Sequence, residues 1–109
     1  MALAFEKARV TITNETGIHE DTITKGFERD IREVEHRPVV EVAIQSFKLD
    51  LAGNARPTDV VQVTASIQDV GEETVTVKVR TNYSGGPYSG EVTVLIIADL
   101  VDVKVPANS

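Results

Sequence analysis

The stretch Asn82-Tyr83-Ser84-Gly85-Gly86-Pro87-Tyr88-Ser89 gathers an amide, two phenols and two hydroxyls around a flexible backbone. One flat ring with a few convergent hydrogen-bonding groups suits recognition of a small polar ligand. Tyr83 could stack on the apolar face of such a ligand while Asn82 and Ser84 bond its hydroxyls. Gln62, on the polar side of an alternating segment, offers a further amide. The plainer reading is that Ser-Gly-Gly-Pro turns the chain, Tyr88 packs where the next strand begins, and Gln62 is solvated or lies between subunits. Gly85 and Gly86 supply backbone freedom rather than a phosphate cradle, because no Lys-Ser/Thr sequel follows them.

Other reactive types are scattered. His19 and His36 are the two histidines, far apart in sequence. His19-Glu20-Asp21 sets one histidine beside two acids, which is weak support for a metal. Glu72-Glu73 reads as a solvated turn. No Gly-x-Ser-x-Gly elbow and no cysteine is present, so neither an enzyme nor a resident cofactor is expected. Asn14-Glu15-Thr16 and Asn82-Tyr83-Ser84 match the N-glycosylation acceptor pattern, and a glycan on Asn82 would block a site there.

These groups sit in a chain of 109 residues, 41% hydrophobic, with a formal charge of -6. That length fits one domain with a modest core, which oligomerisation would enlarge. The acidic balance argues against a nucleic-acid partner and against attachment to anionic lipid. The longest apolar run, Val94–Ala98, is far short of the ~20 residues needed to insert in a membrane as a helix. Met1–Thr13 lacks the basic-then-apolar pattern of a signal peptide, and the absence of cysteine leaves the compartment open.

The elements that must position the candidate residues are strands. Val61, Val63, Ala65 and Ile67 alternate with Gln62, Thr64, Ser66 and Gln68, and Val75, Val77 and Val79 alternate with Thr76, Lys78 and Arg80. Asp69-Val70-Gly71-Glu72-Glu73 between them suits a hairpin turn. Val40, Val42 and Ile44 mark another strand, Val10 and Ile12 an earlier one, and Glu91–Ala98 begins alternating and ends continuously apolar. Asn82–Tyr88 then reads as the loop between two strands. The surplus apolar residues of the last strand imply that its second face is covered, by a partner subunit or a neighbouring segment. Val40, Val42, Ile44, Val61, Val63, Ile67, Val75, Val77, Val79, Val92 and Val94 are the expected core. Ile23, Phe27, Ile31 and Val34 recur at near-helical spacing, yet Gly26 disfavours a helix by about 1 kcal/mol, so strand and helix both stay open there. Val101, Val103 and Val105 suggest an edge strand or an arm laid on a neighbour. Strands without a βαβ rhythm point to an antiparallel sandwich or small barrel.

Arg37-Pro38-Val39-Val40, Leu49-Asp50, Val60–Ile67, Val75–Thr81, Tyr88-Ser89 and Glu91–Asp99 together resemble the H-type lectin family of snail agglutinins and discoidin C-terminal domains. The likeness spans residues 22–99. It implies an all-β, six-stranded antiparallel β-sandwich forming homotrimers, some paired into homohexamers. It also implies a galactose or N-acetylgalactosamine ligand bound between adjacent protomers, with no cofactor. The family's Phe-x-x-x-Phe element is similar to Phe27–Ile31, which favours a strand followed by an irregular stretch, with a helical turn still open at 32–37. Counted back from Tyr88-Ser89, the family's Trp and His fall at Asn82 and Tyr83, and its Arg and Asn at Gln62 and Val60. Gln62 offers fewer donors than a guanidinium and Val60 none. The expected carbohydrate-binding set is therefore Gln62, Asn82, Tyr83, Ser84 and Tyr88, in a multivalent lectin-like protein of cell-adhesion type. The alternative is a non-enzymatic oligomerisation module whose sugar site has degenerated. Glu20-Asp21 could reach a neighbouring protomer's ligand, as the family's N-terminal segment does.

Overall fold

Residues 2–51 and 61–102 are described by a computed structural model of the chain. The expected features at Val60, Val103 and Val105 lie outside them. The fold is all-β and antiparallel. β1 (Ala2–Gly26), β4 (Val40–Leu51), β5 (Val61–Val70) and β6 (Thr74–Leu100) form one sheet, and β2 (Glu33–Val34) pairs with β3 (Arg37–Pro38) in a small hairpin. β6 is central. β1 runs along one side of it, while β4 and β5 share the other, β4 beside residues 88–98 and β5 beside 75–83.

A straight strand of 27 residues would span about 90 Å, and β6 does not do so. The Ile31 amide donates to the Glu72 carbonyl at 2.7 Å, and Ile31 also forms a bridge with Leu100. One residue thus joins the last position of the strand to the turn that precedes its first. At its middle, the Thr81 and Tyr88 hydroxyls lie 3.0 Å apart, where straight strand would separate those backbone positions by about 23 Å. The sheet therefore doubles over, with its bend between residues 83 and 88. β1 follows through bulges at Ile12/Glu15 and Glu15/Gly17.

Doubling brings the apolar alternations face to face. Val75, Val77 and Val79 on one arm of β6, and Val92, Val94 and Ile96 on the other, are buried with Val10 and Ile12 of β1. At the end opposite the bend, the chain crosses between arms. The Phe27 amide donates to Glu73 O, the Arg32 amide to Asp99 O and the Val101 amide to Asp30 O, and Phe27 and Ile31 become buried. Gly90 is needed where β4 passes over β6, because a Cβ there would overlap the Lys48 carbonyl and crowd the Leu49 backbone.

Several expectations need correction. Asn82–Tyr88 is no loop between separate strands: Thr74–Leu100 is one strand, with Gly86 (φ 143°) in its bend. The period-two signal was right on both sides, and pairing with β1 is present on either side of the bend, at Gly17 with Tyr83 and at Glu15 with Tyr88. No helix forms in residues 23–35; β1 continues to Gly26, and an irregular stretch follows. Residues 32–37 hold a tight hairpin instead of a helical turn, with Glu35 and His36 at φ 53° and 65°. His19-Glu20-Asp21 lies within β1. Among the expected core, Val61 (46% exposed) and Ile67 (37% exposed) are open, and Val40, Val42, Ile44 and Val63 are half-buried. They belong to β4 and β5, which, like β1, pair with β6 alone in the sheet.

Candidate functional site

Successive strand residues face opposite sides of a sheet, so neighbours in sequence can have different surroundings. On β6 the odd positions 75–83 face the core and the even positions face out. Register then fixes the outer rows. Asn82 lies between Ile18 of β1 and Gln62 of β5, Arg80 between Glu20 and Thr64, and Lys78 between Thr22 and Ser66. Directly opposed residues have Cβ atoms about 5 Å apart and act as neighbours.

This shelf is open and polar. Val61, Gln62, Val63, Thr64 and Arg80 line a cleft of about 490 Å³. Glu20 is shared by two cations, Lys78 Nζ at 3.1 Å and Arg80 Nε at 3.8 Å, with all three side chains 40–49% exposed. Such wet pairs contribute little to stability, but they hold the guanidinium over the cleft beside the Gln62 row. Two amides, a hydroxyl and a guanidinium can bond a polyhydroxylated ligand in both donor and acceptor senses. Ile18, 53% exposed next to Asn82, supplies an apolar patch.

The sequence-predicted site residues divide between the two faces. Gln62 and Asn82 are brought together as a cross-strand pair. Tyr83 and Tyr88 face inward, 1% and 2% exposed, with ring centroids 6.2 Å apart at 88°. That edge-to-face packing fills the bend from inside. The Tyr88 hydroxyl donates to the Gly17 carbonyl at 2.9 Å and accepts from the Thr81 hydroxyl at 3.0 Å, tying both bent strands together. The Tyr83 hydroxyl is buried and has no hydrogen-bond partner among the described residues. Neither ring offers an open stacking face in the single chain. Ser84 is exposed in the bend.

Arg80 and Thr64 were missed by sequence reasoning. The signal was available, since Arg80 shares the parity of Asn82 and Thr64 that of Gln62. Pairing them needed the hairpin register, which an irregularity between Ile67 and Asp69 displaces by one residue. Glu20, considered as a reach toward a neighbour's ligand, lies on this shelf within its own chain, while Asp21 points to the inner side and binds His19 Nε2 at 2.7 Å. Glu15 lies 3.4 Å from His19 Nδ1. Among the described residues no group of three or more His, Cys, Asp or Glu has the geometry to hold a metal ion, and no helix is long and apolar enough to cross a membrane.

No family model, curated protein or solved structure matches the chain.

Proposed function

We propose that this chain is a lectin-like protein that binds carbohydrate on the outer shelf of its β5–β6–β1 arm and gains avidity by self-association. The observation that carries the reading is the Gln62–Asn82 cross-strand pair at the open cleft that Gln62 and Arg80 line. Arg80 supplies the fork of donors that Gln62 lacks, from the strand opposite the one expected. The tyrosines then act as support, holding the bend that sets the shelf, rather than as the platform.

Counting each arm of β1 and β6 separately, the doubled sheet has six strand segments in two sets of three, a count that supports the reading as a six-stranded, H-type lectin-like sandwich. The ligand class is galactose or N-acetylgalactosamine on a clustered glycan, and the assembly a homotrimer or homohexamer. Single-site affinity is weak, and symmetric copies raise it by linkage.

The test is a glycan array with the intact oligomer, followed by titration of Arg80→Ala and Gln62→Ala. Specific binding that both changes weaken about tenfold or more (~1.4 kcal/mol each), without loss of oligomer, supports the shelf. Binding that survives both changes refutes this placement.

The burial of Tyr83 and Tyr88 favours a second reading, an oligomerisation module whose sugar site has degenerated. An array silent at high protomer concentration would establish that reading over the lectin.

A further inference from the structure

The doubled sheet has two long sides, and they are built differently. Along the β1 side the inward positions include Glu6, Glu15, His19, Asp21 and Lys25, all half-buried. Inward-pointing charge on an edge strand is a known defence against further pairing. Along the other side run the free edges of β4 and β5. There the inward positions are Phe47, Leu49, Val61, Val63, Ala65 and Ile67, with Phe47 56% exposed, Val61 46% and Ile67 37%. Residues 61–70 contain one charged side chain, Asp69. Among the described residues, the core is thus open to water along the β4/β5 side.

We propose that copies of this chain meet through the β4/β5 seam, so that Phe47, Val61 and Ile67 complete each other's cores. This deepens the self-association in the proposed function by assigning its surface. A second copy is the occupant because the seam complements itself. The register places Lys48 toward the bend on β4 and Asp69 toward the opposite end on β5, so two seams juxtaposed in antiparallel sense set Lys48 of one copy against Asp69 of the next. The area also suffices. Ten residues of strand by two stacked layers present roughly 600–700 Å², close to the ~800 Å² per partner of a standard interface.

The outer face of the β1–β6–β4 arm, away from the seam, also exposes apolar groups, Leu3 (52%) and Phe5 (57%), which makes it the natural control. The full chain is sedimented across a dilution series beside Phe47→Glu, Ile67→Lys and Phe5→Glu. An oligomer that both seam variants shift toward the 11.8 kDa monomer with at least about tenfold weaker association (~1.4 kcal/mol), and that Phe5→Glu leaves intact, is the expected result. Far-UV circular dichroism checks that each variant keeps its strands. Hydroxyl-radical footprinting of the unsubstituted chain gives a reading free of any folding defect, with Phe47 protected in the oligomer and Phe5 not. A monomeric unsubstituted chain, an oligomer indifferent to both seam variants, or one dissolved by Phe5→Glu overturns the proposal. If deleting residues 103–109 exposes Phe47 in a monomer, the seam is covered by the chain's own tail and the proposal fails. Mass rather than sugar is the readout, so a silent glycan array does not touch this inference, and a failed seam leaves the shelf to be judged by the array.

Discussion

Asn82 and Tyr83 are adjacent in sequence and belong to different parts of the molecule. Asn82 stands on the outer shelf with Gln62 and Arg80, among side chains about half exposed. Tyr83 lies inside with Tyr88, where nearly all its surface is removed from water. One peptide unit separates a candidate ligand contact from a core residue, because strand geometry alternates the two faces. The inner residues hold the bend, and the outer ones are carried by it at little energetic cost.

The inner set is disturbed most at Tyr88. Tyr88→Ala removes a buried ring and its hydroxyl's hydrogen bonds to Gly17 and Thr81, and should cost about 3–5 kcal/mol, a large share of the ~5–15 kcal/mol typical of a domain. Denaturant unfolding measures it. A cost below ~1 kcal/mol would mean that the bend is not held from inside.

Next in size are changes that disturb the bent frame less. Gly90→Ala forces a methyl group against the Lys48 carbonyl. The backbone of β4 must yield, at about 1–3 kcal/mol as for overpacked cores. Loss of amide-exchange protection confined to β4 and its partners on β6 would locate the damage.

A sharper contrast is available between the two hydroxyls. Tyr88→Phe removes the hydroxyl's bonds to the Gly17 carbonyl and the Thr81 hydroxyl, and should cost about 1–3 kcal/mol. Tyr83→Phe removes a buried hydroxyl that has no partner among the described residues, and should leave stability unchanged or raise it slightly. Equal losses in parallel thermal melts would show that Tyr83 has a partner outside the described residues, in bound water or in another copy.

The smallest stability effects belong to the shelf. Arg80→Ala and Asn82→Ala lie outside the core and should change stability within about 0.5 kcal/mol, while weakening glycan binding. A melting temperature that falls as far as that of Tyr88→Phe would make these residues structural and remove the distinction between the faces.

Strand existence and the inward valines of β6 were legible in the sequence, because period-two alternation is a local property that each segment carries by itself. Composition likewise set the acidic charge, the absence of disulfides and the scale of the core. The hairpin of β5 with the first arm of β6 was legible too, from the turn at Asp69–Glu73. The doubling of β6 was not, since it is made by contacts between residues remote in sequence, such as Ile31 with both Glu72 and Leu100. Alternation also says nothing of its own phase across an irregularity. The inward parity runs odd through Tyr83 and even from Tyr88, so the fate of each tyrosine depended on how residues 84–87 were spent in the bend. Arg80 joined Gln62 and Asn82 for the same reason. Its type and face were written in the sequence, but its neighbours on β5 were settled by register, which only the folded sheet decides.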